Sequence, residues 1–189
     1  RVPAVPVSYD CESHFQRQQH HVGHRDPDQE GLSSHLTTED GRGPQQDGHT
    51  SESNLPVQWS AENVVWKAAL PGSGQSSPII WGDKVFVTSA VGEKELPTPH
   101  VGGYPGGHVS TGEMHRWMLY CLDFDSGKIV WEFAAHQGIP PQARHPRNSF
   151  ASETPVTDGE RVYAYFANLG LFCCGLDGKK LWERRYESY

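Results

Sequence analysis

The chain has 189 residues, 35% of them hydrophobic, and a formal charge of −7 at pH 7; this is enough for one ordinary domain and the wrong sign for a nucleic-acid or anionic-membrane surface. No apolar run approaches the roughly eighteen residues of a membrane span, and the opening Arg1-Val2-Pro3-Ala4 lacks the charged-then-apolar layout of a secretory leader. The four cysteines, Cys11, Cys121 and the adjacent Cys173 and Cys174, have the spacing of neither a zinc knuckle nor a dense disulfide framework.

Composition divides the chain near Asn54. Residues 1–54 carry 10 apolar side chains, whereas residues 55–189 carry 57. The first segment also has more acidic than basic residues and 6 of the 11 histidines. It is read as a tail without a packed core, because so little apolar surface cannot offset the entropy of ordering it. The folded part is expected to begin with a short end-piece, residues 55–70, whose Val64-Val65-Trp66 run looks like the last strand of a repeat.

The next segment sets the repeat. Pro78-Ile79-Ile80-Trp81-Gly82-Asp83-Lys84-Val85-Phe86-Val87 is echoed by Pro155-Val156-Thr157-Asp158-Gly159-Glu160-Arg161-Val162-Tyr163-Ala164 at a constant offset. Each copy reads as a short strand, a Gly/Asp turn and a second strand rich in Val and aromatics, which is a β-hairpin signal. A Gly-, Pro- and His-rich stretch, residues 91–116, follows the first copy. It is expected to be an inserted loop, at a position where binding surfaces form. Then comes Leu119-Tyr120-Cys121-Leu122-Asp123-Phe124-Asp125-Ser126-Gly127-Lys128-Ile129-Val130-Trp131, matched downstream by Leu171-Phe172-Cys173-Cys174-Gly175-Leu176-Asp177-Gly178-Lys179-Lys180-Leu181-Trp182. These are second hairpins, turning at Gly127 and Gly178.

Two hairpins per copy make four antiparallel strands, the blade of a β-propeller. The expected fold is therefore all-β: a partial propeller of about two four-stranded blades, one over residues 71–135 and one over 148–189, with an N-terminal extension. Trp66, Trp131 and Trp182 are expected to close the last strand of each unit and to anchor neighbouring blades by filling the wedge between them.

Several constellations hold side chains that could carry chemistry. Asp123-Phe124-Asp125-Ser126-Gly127 opens like a calcium loop but lacks the distal bidentate glutamate. A hairpin turn requires the same residue types, so no metal is assigned. His14, His20, His21, His24 and His35 in the tail, and His100, His108 and His115 around the insertion, hold no fixed spacing on a regular element, so no ligand set is assigned. His145, Asn148 and Glu153 arrive together at the entrance of the second blade, near where a propeller has its central channel; they are read first as partners for the neighbouring blade's backbone and, in the alternative, as the candidate binding residues. No phosphate loop, nucleophile elbow or zinc helix is present, and no catalytic residue is assigned.

The pattern Ser77-Pro78-Ile79-Ile80-Trp81-Gly82-Asp83-Lys84-Val85-Phe86-Val87, followed by Ser126-Gly127-Lys128-Ile129-Val130-Trp131, resembles the pyrroloquinoline-quinone-like repeat family of bacterial propellers. Arg42-Gly43-Pro44, Asn54-Leu55-Pro56 and Trp59-Ser60 resemble the segment before the first blade in its large members. The resemblance implies a ring of roughly seven or eight blades, so this chain reads as an N-terminal fragment whose partners include the remaining blades. It implies a periplasmic or secreted location. It also implies two functions: a non-enzymatic scaffold presenting loops to a protein or small ligand, or part of a quinone-dependent dehydrogenase. Only the second would use pyrroloquinoline quinone, and the carboxylate and Asn cation set it needs is not identifiable here; no cofactor is expected. The adjacent Cys173 and Cys174 are similar to the vicinal disulfide over the quinone in methanol-type enzymes. Strand alternation sends their sulfurs to opposite faces, however, so they are read as buried structural thiols.

Overall fold

The computed structural model describes residues 64–94, 112–145, 148–167 and 169–186. The tail and most of the insertion therefore lie outside the described residues. Eight strands form two four-stranded antiparallel sheets in simple sequential order. The first contains β1 (Ile79–Trp81), β2 (Lys84–Gly92), β3 (His115–Asp123) and β4 (Ile129–Gly138). The second contains β5 (Val156–Thr157), β6 (Arg161–Phe166), β7 (Gly170–Gly175) and β8 (Lys180–Arg185). All the expected hairpins form, and the described residues contain no helix.

Three local expectations need correction. The ladder between β2 and β3 continues through Val91↔Arg116 and Gly92↔His115, so the insertion is shorter than residues 91–116 by two residues on each side. Of these paired ends His115 is buried inside the sheet, Val91 and Gly92 are half-buried and Arg116 is exposed. Second, Trp131 and Trp182 do not close their strands; each is the third residue of the last strand of its sheet. Third, Trp66 lies outside any strand among the described residues.

The two sheets share one core. Ile79, Phe86, Trp117, Leu119 and Cys121 of the first meet Val162, Ala164, Phe166, Phe172 and Cys174 of the second, with Phe150 and Ala151 of the connecting segment in the same cluster. The opposite face of the first sheet is covered too: Val85, Val87, Met118, Tyr120 and Leu122 pack with Leu70. Burial on both faces explains the unbroken run of buried residues in β2, from Val85 to Ala90, whereas β6 alternates between buried and more exposed positions. The second sheet thus has one closed face and one open one.

A recurrent contact sets how the units meet. The Trp66 indole lies on the Gly127 turn and donates to the Phe124 carbonyl at 2.9 Å. The Trp131 indole lies on the Gly178 turn of the second sheet and donates to the Leu176 carbonyl at 2.9 Å. Both turn glycines have positive φ, 68° and 80°, and a Cβ there would come within 2.4 Å of Trp66 Cε3 or 2.7 Å of Trp131 Cδ2. Glycine is thus required twice over, by backbone conformation and by the ring on top. A register shift in each sheet places Val130 and Leu181 as extra residues next to the tryptophan, since Cys121 and Leu122 face Trp131 and Ile129, and Cys173 and Cys174 face Trp182 and Lys180. Such bulges re-aim a neighbouring side chain, and both leave the extra residue exposed.

Comparing two glycines separates the two costs. Gly82 also has positive φ, 60°, but nothing lies within 4 Å of where its Cβ would stand. Gly82→Ala should cost about 1 to 2 kcal/mol, the left-handed backbone alone. Gly178→Ala should cost about 2 to 5 kcal/mol, because overpacking against Trp131 adds to it. Denaturant unfolding of the two variants measures the difference; equal losses would show that the indole exerts no steric demand on the turn.

Candidate functional site

The strap between β4 and β5 is organised by hydrogen bonds of its own residues. Asn148 N donates to the His145 carbonyl at 2.9 Å. Ser149 and Ser152 form a second knot: Ser149 N donates to Ser152 Oγ and Ala151 N to Ser149 Oγ, both at 3.2 Å. Serine hydroxyls are suited to such loops because they replace missing backbone partners locally. The Arg144 guanidinium, buried beneath the strap, donates to the Asn148 carbonyl at 2.6 Å and reaches the His145 carbonyl at 3.4 Å. Burial pushes its pKa below the ordinary arginine value, as desolvation disfavours the charged form.

The strap is then fastened to the first sheet. Trp117, fully buried, donates its indole N–H to the Phe150 carbonyl at 2.9 Å. Gln75 N donates to the Ala151 carbonyl, Thr88 Oγ1 to the Glu153 carbonyl at 3.1 Å and Ser77 N to Thr154 Oγ1 at 3.1 Å. His115 packs edge-on against the Phe150 ring at 5.1 Å, with Nδ1 2.9 Å from the Glu113 carbonyl. That carbonyl can only accept, so Nδ1 carries the proton.

Under these ties a hollow of about 150 Å³ opens, lined by Arg144, His145, Asn148, Ser149, Ser152 and Glu153 among others. The three residues singled out from the sequence, His145, Asn148 and Glu153, therefore line one cavity. Asn148 is exposed, and His145 and Glu153 are partly buried. Arg144, Ser149 and Ser152 were missed; the Ser149-x-x-Ser152 spacing was the readable sign of a self-bonded loop, while nothing local marks Arg144 as buried. The hollow offers hydrogen-bond donors, a cation and a carboxylate around a small space, which suits a small polar molecule.

The other candidates are occupied differently. Asp123 accepts from Ser126 N at 2.8 Å and from the Ser126 hydroxyl, and these bonds hold its carboxyl below the usual carboxylate range; its role here is to fix the turn. Cys121 and Cys174 lie in the shared core and Cys173 faces the opposite way, paired with Trp182. Burial pushes the Cys121 and Cys174 thiols up to about 12 and raises Cys173 as well. Trp66 and Trp131 occupy the turns described above, while Trp182 is 38% exposed. His100 and His108 lie outside the described residues. The chain matches no protein-family model and no curated protein.

Two outcomes are expected. Arg144→Ala should destabilise the fold by about 1.5 to 3 kcal/mol, the usual worth of a charged group's buried hydrogen bonds, measured by chemical unfolding. In native protein at pH 8, Cys121, Cys173 and Cys174 should resist iodoacetamide by peptide mapping, because only thiolates react; a Cys173–Cys174 disulfide recovered from the native chain would contradict this.

Proposed function

We propose that the chain is part of a propeller-type scaffold of a larger bacterial protein, non-enzymatic, which binds a small polar ligand or a polar protein loop at the hollow beside residues 143–153. The observation that carries the scaffold reading is the repeated seating of a tryptophan on the next unit's glycine turn, at Gly127 and again at Gly178. A sequential four-stranded sheet that hands one indole to its successor is a unit built to be stacked, and a ring of such sheets is the arrangement that leaves no end uncovered. Binding at the hollow is supported by the convergence of His145, Asn148 and Glu153 on one cavity over a strap tied rigidly to the sheets. Rigid support matters because polar groups held in place lose little entropy when a ligand arrives.

The test is a titration of the chain with small amides, amino acids and carboxylates at millimolar concentration, following the backbone amide signals of Asn148, Ser149, Ser152 and Glu153. One class should move these signals together, and Glu153→Gln should weaken that binding by about tenfold, or 1.4 kcal/mol, with unfolding unchanged. If no class moves them, the strap serves the fold alone. Micromolar pyrroloquinoline quinone should leave the protein unchanged; stoichiometric uptake would favour the dehydrogenase reading instead.

A further inference from the structure

The hollow beside residues 143–153 holds charges of both signs in a small space. Arg144, 6% exposed, lines it and donates from Nη1 to the carbonyls of Asn148 and His145. Glu153 lines it too. The Glu153 carbonyl is pinned to β2 by the Thr88 hydroxyl at 3.1 Å, so its side chain starts from a fixed place. Its carboxylate, on a half-buried residue, makes no hydrogen bond or ion pair with any described residue. Asp123, Asp158, Asp177 and Glu183 are each held by hydrogen bonds, whereas Glu93 and Glu132 are exposed to water. A half-buried carboxylate without a donor is costly, because part of its water is gone and no protein group has replaced it. The side-chain amide of Asn148, which is exposed, likewise bonds to no described residue.

We propose that the hollow takes a primary carboxamide head group, whose NH2 donates to the Glu153 carboxylate and whose carbonyl accepts from the Asn148 side chain and faces Arg144. The proposal rests on the hollow being a binding site, and it names what is bound there. Three kinds of small polar group compete for such a space, and the charges decide between them. A carboxylate faces Glu153 as a like charge and has no hydrogen to give it. An ammonium can donate to Glu153, but it sets a second cation beside the Arg144 guanidinium within about 150 Å³, and like charges in a partly desolvated space disfavour each other. A carboxamide is neutral and carries donors and an acceptor on one planar group, so it meets both signs without adding to either. The volume has room for a group of roughly half a dozen heavy atoms, which propionamide or the end of a glutamine side chain fills. A site built to accept an N–H rejects an isostere that lacks it, since the site's own acceptor is then left unpaired.

The experiment titrates the whole chain at pH 7 with three probes of nearly one shape, propionamide, propionate and propylammonium, following the backbone amide signals of Asn148, Ser149, Ser152 and Glu153. Propionamide should bind about tenfold more tightly than either ion. Glu153→Gln replaces an acceptor-only carboxylate by a group that also donates. A carboxylate then meets donors and the Arg144 charge alone, so propionate should overtake propionamide. The unfolding midpoint of this variant should not move, because the Glu153 carboxylate holds no described residue. Asn148→Ala should weaken propionamide about fivefold, the loss of one hydrogen bond, again with unfolding unchanged. A glutamine peptide blocked at both ends identifies the carrier: tighter binding than propionamide makes the head group a side chain of another protein, and equal or weaker binding makes it a free small amide. Propionate or propylammonium bound as tightly as propionamide overturns the proposal while leaving the hollow a binding site, and so does an order of probes that Glu153→Gln does not change. If no probe moves the four signals, the binding reading itself fails and the proposal falls with it.

Discussion

The fold depends on a steric fit between a flat ring and a turn without a side chain. An indole is wide enough to span the gap between two twisted sheets only if the surface beneath it is flat, and the turns at Gly127 and Gly178 supply that surface. The N–H then finds a carbonyl in the same turn, at 2.9 Å in both cases, so the ring is fixed in direction as well as depth. Aromatic burial with a satisfied polar edge gives both stabilisation and orientation. Much else follows from this one contact. The bulge at Val130 stands where β4 presents its ring toward the second sheet, and the same bulge recurs at Leu181 beside Trp182.

The hollow is a by-product of the same stacking. Once two sheets are held at a fixed separation, the strap joining them must cross from the last strand of one to the first strand of the next. Its polar backbone needs partners on the way. Arg144 supplies donors from below, Ser149 and Ser152 close the strap on itself, and Trp117, Gln75 and Thr88 bind it to the first sheet. The side chains of His145, Asn148 and Glu153 are left to line a small space because the backbone's needs are met by others.

Much of this was legible in the sequence, for identifiable reasons. Hairpins at Gly82, Gly127, Gly159 and Gly178 were readable because turn residues and alternating apolar residues recur at fixed offsets. The exit positions of Trp131 and Trp182 were misread because a bulge is invisible to a period-two pattern; the extra residues, Val130 and Leu181, look like any other strand residue. The insertion was drawn too wide because Gly92 and His115 have loop-like identities, yet they pair across the ladder. At the site, the cluster His145 to Glu153 stood out as polar residues before a strand, but Arg144 could not, since its burial depends on where the strap folds back.

Comparing copies also hid one contact, and it is the one that makes this joint particular. Trp81 lies on Gly159, with its ring within 2.5 Å of where a Cβ would be. The residue at the equivalent place in the second copy is Asp158, whose carboxylate instead accepts from the Tyr163 hydroxyl at 2.6 Å and from the turn N–H groups of Glu160 and Arg161. Thr88 likewise reaches Glu153, while its counterpart is the exposed Tyr165. The joint between the two sheets therefore combines two kinds of contact. The indole on a last-hairpin glycine occurs twice, at Gly127 and at Gly178. At the first hairpin the copies differ: the first sheet lays an indole on Gly159, whereas the second carries at that place an aspartate bonded within its own turn. Discrimination between similar partners comes from such unequal positions rather than from the shared ones. The strap with its polar hollow is held at this joint by both kinds of contact.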